Sequence, residues 1–161
     1  MNSAALERSS GQTRSRKVPV YQVLAEDLQH MGARVAFGLM SDDTALLATA
    51  LDSLGVRFYG ARHENCAIAM AEGYAYASGR LGVAVVGRGP ALANGVHAAV
   101  YASRTGSPVL LIYGEAPTSY GPNALGPITR RLMELVCCGR PVCEPSRQQA
   151  RSRHAWYSLT P

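Results

Sequence analysis

From Val18 onward, two signatures alternate along the chain: apolar residues at helical spacing and short unbroken apolar runs. Val20, Val23, Leu24, Leu28 and Met31 fall on one helical face and Gly32 follows as a stop; Val35-Ala36-Phe37-Gly38-Leu39 then reads as a buried strand. Ser41-Asp42-Asp43-Thr44 offers caps for a second helix, whose apolar face is Ala45, Leu46, Ala48, Leu51 and Leu54 before Gly55 ends it. Val56–Gly60 is a second strand. Glu64–Ser78 is dense in Ala and Gly, as suits a helix lying close on its neighbours, and Gly79 closes it. Leu81–Val86 is apolar throughout, the turn Gly87-Arg88-Gly89-Pro90 leads into a helix to about Thr105, and Pro108–Tyr113 is another run suited to a strand covered on both faces.

The order αβαβαβαβ with continuous apolar strands predicts a single domain of the α/β class, three layers α/β/α around a mostly parallel sheet. The pattern assigns residues 1–17 to a disordered leader, 18–127 to the folded domain and 128–161 to an irregular or disordered tail. After Pro127 the periodicity stops, and Cys137–Pro161 is Arg, Ser, Pro, Gln and Cys without a repeat. So abrupt a change suggests a shifted reading frame or a truncated chain.

Composition changes this picture little. The 47% hydrophobic and 17% charged content is that of a soluble globular protein, and no apolar run approaches the roughly 20 residues of a membrane span. The net charge of +5 invites a nucleic-acid reading, but the basic residues lie at the ends. Residues 1–17 carry Arg8, Arg14, Arg16 and Lys17 against Glu7, and residues 128–161 carry six Arg against Glu134 and Glu144, whereas 18–127 has six Arg against eight acids. A folded basic face is therefore not expected, nor is nucleic acid as a partner. Asn2–Arg16 lacks the apolar stretch of a secretory signal; an organelle transit peptide is argued against by Glu7, so the cytoplasm is expected. Cys66 stands alone and Cys137, Cys138 and Cys143 crowd the tail, with no Cys-x-x-Cys pair to support zinc or a disulfide framework.

The chemistry concentrates in Ala61-Arg62-His63-Glu64-Asn65-Cys66-Ala67-Ile68-Ala69-Met70-Ala71-Glu72-Gly73-Tyr74-Ala75. This strand end, His-Glu and small-residue helix running Met-Ala-x-Gly-Tyr-Ala resembles the signature of thiamine-diphosphate-dependent enzymes, specifically their N-terminal pyrimidine-binding domain in acetolactate-synthase-like members. Gly87-Arg88-Gly89-Pro90-Ala91-Leu92-Ala93-Asn94 follows where the family has its Gly-Pro-Gly and Asn turn, Phe37-Gly38 matches the family's early strand end, and Ser107–Pro117 is similar to its closing strand. The resemblance runs from Val18 to about Pro127 of the 161 residues.

The resemblance implies thiamine diphosphate as cofactor, Glu64 as the catalytic carboxylate, and Gly38, Glu64, Gly89, Pro90 and Asn94 as cofactor-binding residues. Thiamine works only after its thiazolium C2 proton is lost, and in the family a Glu bonded to N1′ of the aminopyrimidine favours the tautomer whose 4′-nitrogen takes that proton. A carboxyl in an apolar interface shares a proton with N1′ more readily than a solvated one would. Position alone also allows Glu64 to be an acid drawn to a helix N-terminus by the dipole. His63 either orients substrate or caps, and Asn94 either lines the substrate side or caps the helix after the glycine turn. Family members commonly have Gly where Ala91 stands, which narrows the turn. Gly87-Arg88-Gly89 is no dinucleotide fingerprint, since Leu92 takes the place of its third glycine and no acid follows about 20 residues on. Cys66 and Met70 are expected to pack.

The family holds diphosphate and Mg²⁺ on a separate domain carrying Gly-Asp-Gly, which this sequence lacks, so no metal ligand is expected here and the chain supplies half of a site. The expected partners are a 2-oxo acid substrate and a diphosphate-binding domain or subunit in trans, within a homo- or hetero-oligomer. Alternatives are a stand-alone α subunit of a sulfopyruvate- or phosphonopyruvate-type decarboxylase, and a non-catalytic dimerisation module.

Overall fold

Residues 18–114 and 156–159 are described by a computed structural model of the chain. Helices α1 (Val20–His30), α2 (Ala45–Ser53), α3 (Glu64–Ser78) and α4 (Pro90–Thr105) alternate with strands β1 (Val35–Gly38), β2 (Arg57–Gly60), β3 (Gly82–Val86) and β4 (Val109–Gly114); a last strand, β5, is Trp156–Leu159. The first eight elements match the sequence expectation to within a residue or two at each end. The strand β5 lies inside the stretch expected to be irregular, and its backbone pairs in parallel with β4; the rest of 128–161, and the leader 1–17, lie outside the described residues.

The sheet is parallel throughout, in the order β2-β1-β3-β4-β5. Strand alternation sorts its side chains onto two faces. Ala36, Val83, Val85, Leu110 and Ile112 pack with Ala25, Leu28, Leu47 and Leu51 of α1 and α2. Phe37, Ala84, Val86, Leu111 and Tyr113 pack with Ala67, Ile68, Ala71, Leu92 and Ala99 of α3 and α4. Each fully buried Leu, Ile or Val on these faces contributes about 1.5–3 kcal/mol relative to exposure, which fits the absence of any charged side chain from β3 and β4. At the edge, β2 leaves Arg57, Tyr59 and Gly60 exposed.

The small residues of α3 have a direct cause. That helix lies so low on the sheet that a Cβ at Gly82 would run into the Ala71 carbonyl. The layers are three, as expected. No described helix is long and apolar enough to cross a membrane.

The order of strands reverses direction between β1 and β3, and such a switch point, at the carboxyl ends of the strands, is where open α/β sheets bind ligands. At that edge the caps differ from expectation. Thr44 is fully buried with helical backbone, and its hydroxyl accepts the Ser41 N–H at 3.1 Å, closing the loop after β1 and leaving α2 without a side-chain cap.

Candidate functional site

The buried positions of α3 are Glu64, Ala67, Ile68, Ala71 and Ala75, a single stripe at helical spacing with a carboxylate at its head. Glu64 is 8% exposed and begins the helix, where unpaired backbone N–H groups favour negative charge. An acid serving only the dipole is as well placed on the solvent side, where it keeps its hydration. Burial costs that hydration and needs a hydrogen-bonding partner. The partner is Asn94, whose Nδ2 donates to Glu64 Oε2 at 3.2 Å. The other oxygen, Oε1, bonds to no described residue.

Asn94 is not a cap. It lies inside α4, five residues past Gly89, the residue at the N-cap position, and its side chain crosses to α3. Gly89 adopts φ 59° and ψ −115°, a conformation that a side chain resists, and Pro90 follows at the first helical position, where its missing N–H costs nothing. This glycine-proline pair turns the chain from β3 into α4 so that Asn94 reaches Glu64. Ala91 lies against Gly87 in this turn, where a Cβ would come within 3.3 Å of the Ala91 methyl.

A family model described as thiamine pyrophosphate enzyme, N-terminal TPP binding domain, matches residues 19–131. The chain belongs to that family. Among relatives of this TPP binding domain, 2-hydroxyacyl-CoA lyase 2 of Danio rerio is 39% identical over 95 residues, covering 59% of this chain and 15% of the lyase. The acetolactate synthase large subunit of Lactococcus lactis is 34% identical over 105 residues, covering 64% of this chain and 18% of the synthase. The chain thus spans under a fifth of the length of either. A solved structure, assigned as a thiamin diphosphate-dependent enzyme from Mycobacterium smegmatis, shares the fold with a TM-score of 0.57 at 19% identity, over 65% of this chain and 20% of that one.

The family implies thiamine diphosphate, and the described residues of the TPP binding domain suit one end of it: a buried carboxylate with one oxygen uncommitted, at the carboxyl edge of a parallel sheet. Among the described residues no three His, Cys, Asp or Glu side chains gather to hold a metal ion.

The remaining expected residues are placed as follows. His63 caps α3, its Nδ1 accepting the Asn65 N–H at 3.2 Å, so the ring proton of a neutral His63 is assigned to Nε2. Gly38 ends β1, where an added Cβ would strike the Val85 carbonyl and the Phe58 ring, so the sheet itself requires glycine there. Cys66 and Met70, expected to pack, are exposed on α3.

Two features were not foreseen. Arg88 and Asp43 form an ion pair at 3.3 Å that joins the loops after β3 and β1 across the switch point. Asn65 Oδ1 accepts the N–H of Ala98 at 2.8 Å, tying α3 to α4 beside the Glu64–Asn94 bond. Loop-to-loop pairing leaves no mark on periodicity, but an Asn in the first turn beside Glu64 is a residue type rich in local hydrogen bonds.

Proposed function

We propose that this domain supplies the carboxylate that activates thiamine diphosphate in an acetolactate-synthase-like decarboxylase or carboligase acting on a 2-oxo acid. The observation that carries the reading is Glu64, buried at the head of the α3 stripe and held at one oxygen by Asn94. With the cofactor bound, the chemistry supplied is that of a carbon acid whose conjugate base adds to carbonyl carbon. Glu64 would hold a proton at N1′ of the aminopyrimidine through its free oxygen. Asn94 fixes the carboxylate plane from the other oxygen, and the Gly89-Pro90 turn sets where Asn94 sits. His63, exposed beside Glu64, stands on the substrate side with its Nε2 proton available to a substrate oxygen. Diphosphate and Mg²⁺ would be held by a separate domain, in trans, within an oligomer.

A second substrate reading is favoured by the higher identity to 2-hydroxyacyl-CoA lyase 2: a 2-hydroxyacyl-CoA, cleaved in a lyase reaction. Supplying each substrate class to the assembled enzyme separates the two readings by product.

Calorimetric titration with thiamine diphosphate and Mg²⁺ tests the binding role. With a co-expressed diphosphate-binding polypeptide, the wild-type chain is expected to bind and Glu64→Ala to bind at least about tenfold more weakly, as fits loss of a hydrogen bond to a charged group. Equal affinity of the two chains would contradict the role given to Glu64.

A further inference from the structure

Asn65 follows Glu64 and is committed on two sides. Its backbone N–H caps onto His63 Nδ1, and its side-chain Oδ1 takes the N–H of Ala98 at 2.8 Å. Ala98 lies in the interior of α4, where helix geometry directs a backbone N–H to the carbonyl four residues back. For Ala98 that carbonyl belongs to Asn94. Asn65 therefore shares the N–H that closes the helical turn carrying the partner of Glu64.

The two helices come together closely at this level because α4 has glycine at position 95. An added Cβ there would lie 2.5 Å from Ile68 Cδ1. Three contacts thus follow one another between the start of α3 and the same stretch of α4: Glu64 with Asn94, Asn65 with Ala98, and Ile68 with Gly95. The first alone is long, at 3.2 Å, and joins a carboxylate to an Asn side chain on the exposed side of α4. Such a bond holds its geometry only if the backbones beneath it are fixed.

We infer that Asn65 is a positioning residue: it clamps the Asn94 turn of α4 to the first turn of α3 and so holds the Glu64–Asn94 pair in register, resting on the reading that this pair faces the cofactor. The clamp needs an acceptor at the Asn65 Oδ1 position, so Asp serves there and Ala or Leu does not. The bond to Ala98 stands on its own geometry and needs no ligand.

Amide hydrogen exchange resolved by NMR on the full chain tests it, comparing wild type with Asn65→Ala, Asn65→Leu, Asn65→Asp and Ser107→Ala. Ser107→Ala removes a different tether of α3, the 2.7 Å bond from Ser107 Oγ to Glu72 Oε1, and serves as a control for general loosening. Asn65→Ala is expected to speed exchange at Ala98 about three- to tenfold relative to Ala102 and to shift the side-chain amide resonance of Asn94. Asn65→Leu, which keeps bulk and removes the acceptor, gives the same result if Ala leaves the helix pair unfolded. Asn65→Asp keeps the wild-type ratio, and Ser107→Ala leaves both signals in place. An unchanged Ala98 ratio in both Ala and Leu variants would overturn the inference, as would equal changes in Ser107→Ala or loss of protection in Asn65→Asp. Exchange is read without cofactor, so a failure of the proposed function leaves this result standing, and a failure here leaves the Glu64 titration standing.

Discussion

Helix α3 carries two carboxylates that are largely withdrawn from water, and they are stabilised in different ways. Glu72 receives a hydroxyl bond from Ser107 at 2.7 Å, near the start of β4 and away from the ligand edge of the sheet. Glu64 sits at the helix N-terminus with a single amide bond from Asn94. Each keeps one oxygen without a partner among the described residues, and what sets Glu64 apart is its deeper burial at the ligand edge of the sheet. Ser107→Ala should lower stability by about 1–3 kcal/mol in urea denaturation, because it leaves a partly buried carboxylate unpaired. Glycine at 38 is also a structural demand, since the Val85 carbonyl and Phe58 ring occupy the space of a side chain. Gly38→Ala is expected to cost about 1–3 kcal/mol whether or not cofactor is present, read as a lowered urea midpoint with unchanged slope. A loss seen only with cofactor bound would instead mark Gly38 as a binding residue. At this scale the sequence was informative about residue types and poor on partners. Glu64 and the glycine turn stand out by their resemblance to the family's signature, whereas the Asn94 side chain crosses from one helix to another, a contact that no local pattern encodes.

At the scale of elements, the pairing of α3 with α4 does most to shape the site. Their facing stripes are Ala67, Ile68, Ala71 and Ala75 on one side and Leu92, Gly95, Ala98, Ala99 and Ala102 on the other, small enough for two side-chain bonds to span the gap at its upper end. Ile68 is the largest side chain of that α3 stripe and is fully buried, so Ile68→Ala is expected to cost about 2–5 kcal/mol. Arg88→Ala should cost under about 1 kcal/mol, because its pair with Asp43 is half exposed and screened by solvent. Thermal or urea melts of the two variants give the comparison directly. The elements were legible because burial on both sides forces unbroken apolar strands, and because glycine marks helix ends. The caps were less so: Thr44 turns its hydroxyl back to Ser41 because its backbone is already helical and its side chain buried, a choice made by packing.

On the scale of the whole molecule, the sheet order β2-β1-β3-β4-β5 places the starts of α3 and α4 at the carboxyl edge, on one face of the sheet. Crossover handedness accounts for this grouping: moving from β2 past β1 to β3, and on to β4, puts α3 and α4 on the same side, and the opposite step from β1 to β2 puts α2 on the other, where α1 packs beside it. The class of fold was therefore legible from element order alone. The strand β5 was not, since a four-residue run among Arg, Ser and Pro carries no period, and its pairing with β4 links positions more than forty residues apart. The same architecture brings a buried carboxylate to the carboxyl edge, and the proposed cofactor role rests on that placement. The most direct measurement is the rate of hydrogen–deuterium exchange at thiazolium C2 of thiamine diphosphate bound to the assembled enzyme, wild type against Glu64→Gln, at saturating cofactor. Exchange slowed by about 10²-fold or more in Glu64→Gln is the predicted result. Equal rates in the two proteins would contradict the central claim that Glu64 activates the cofactor.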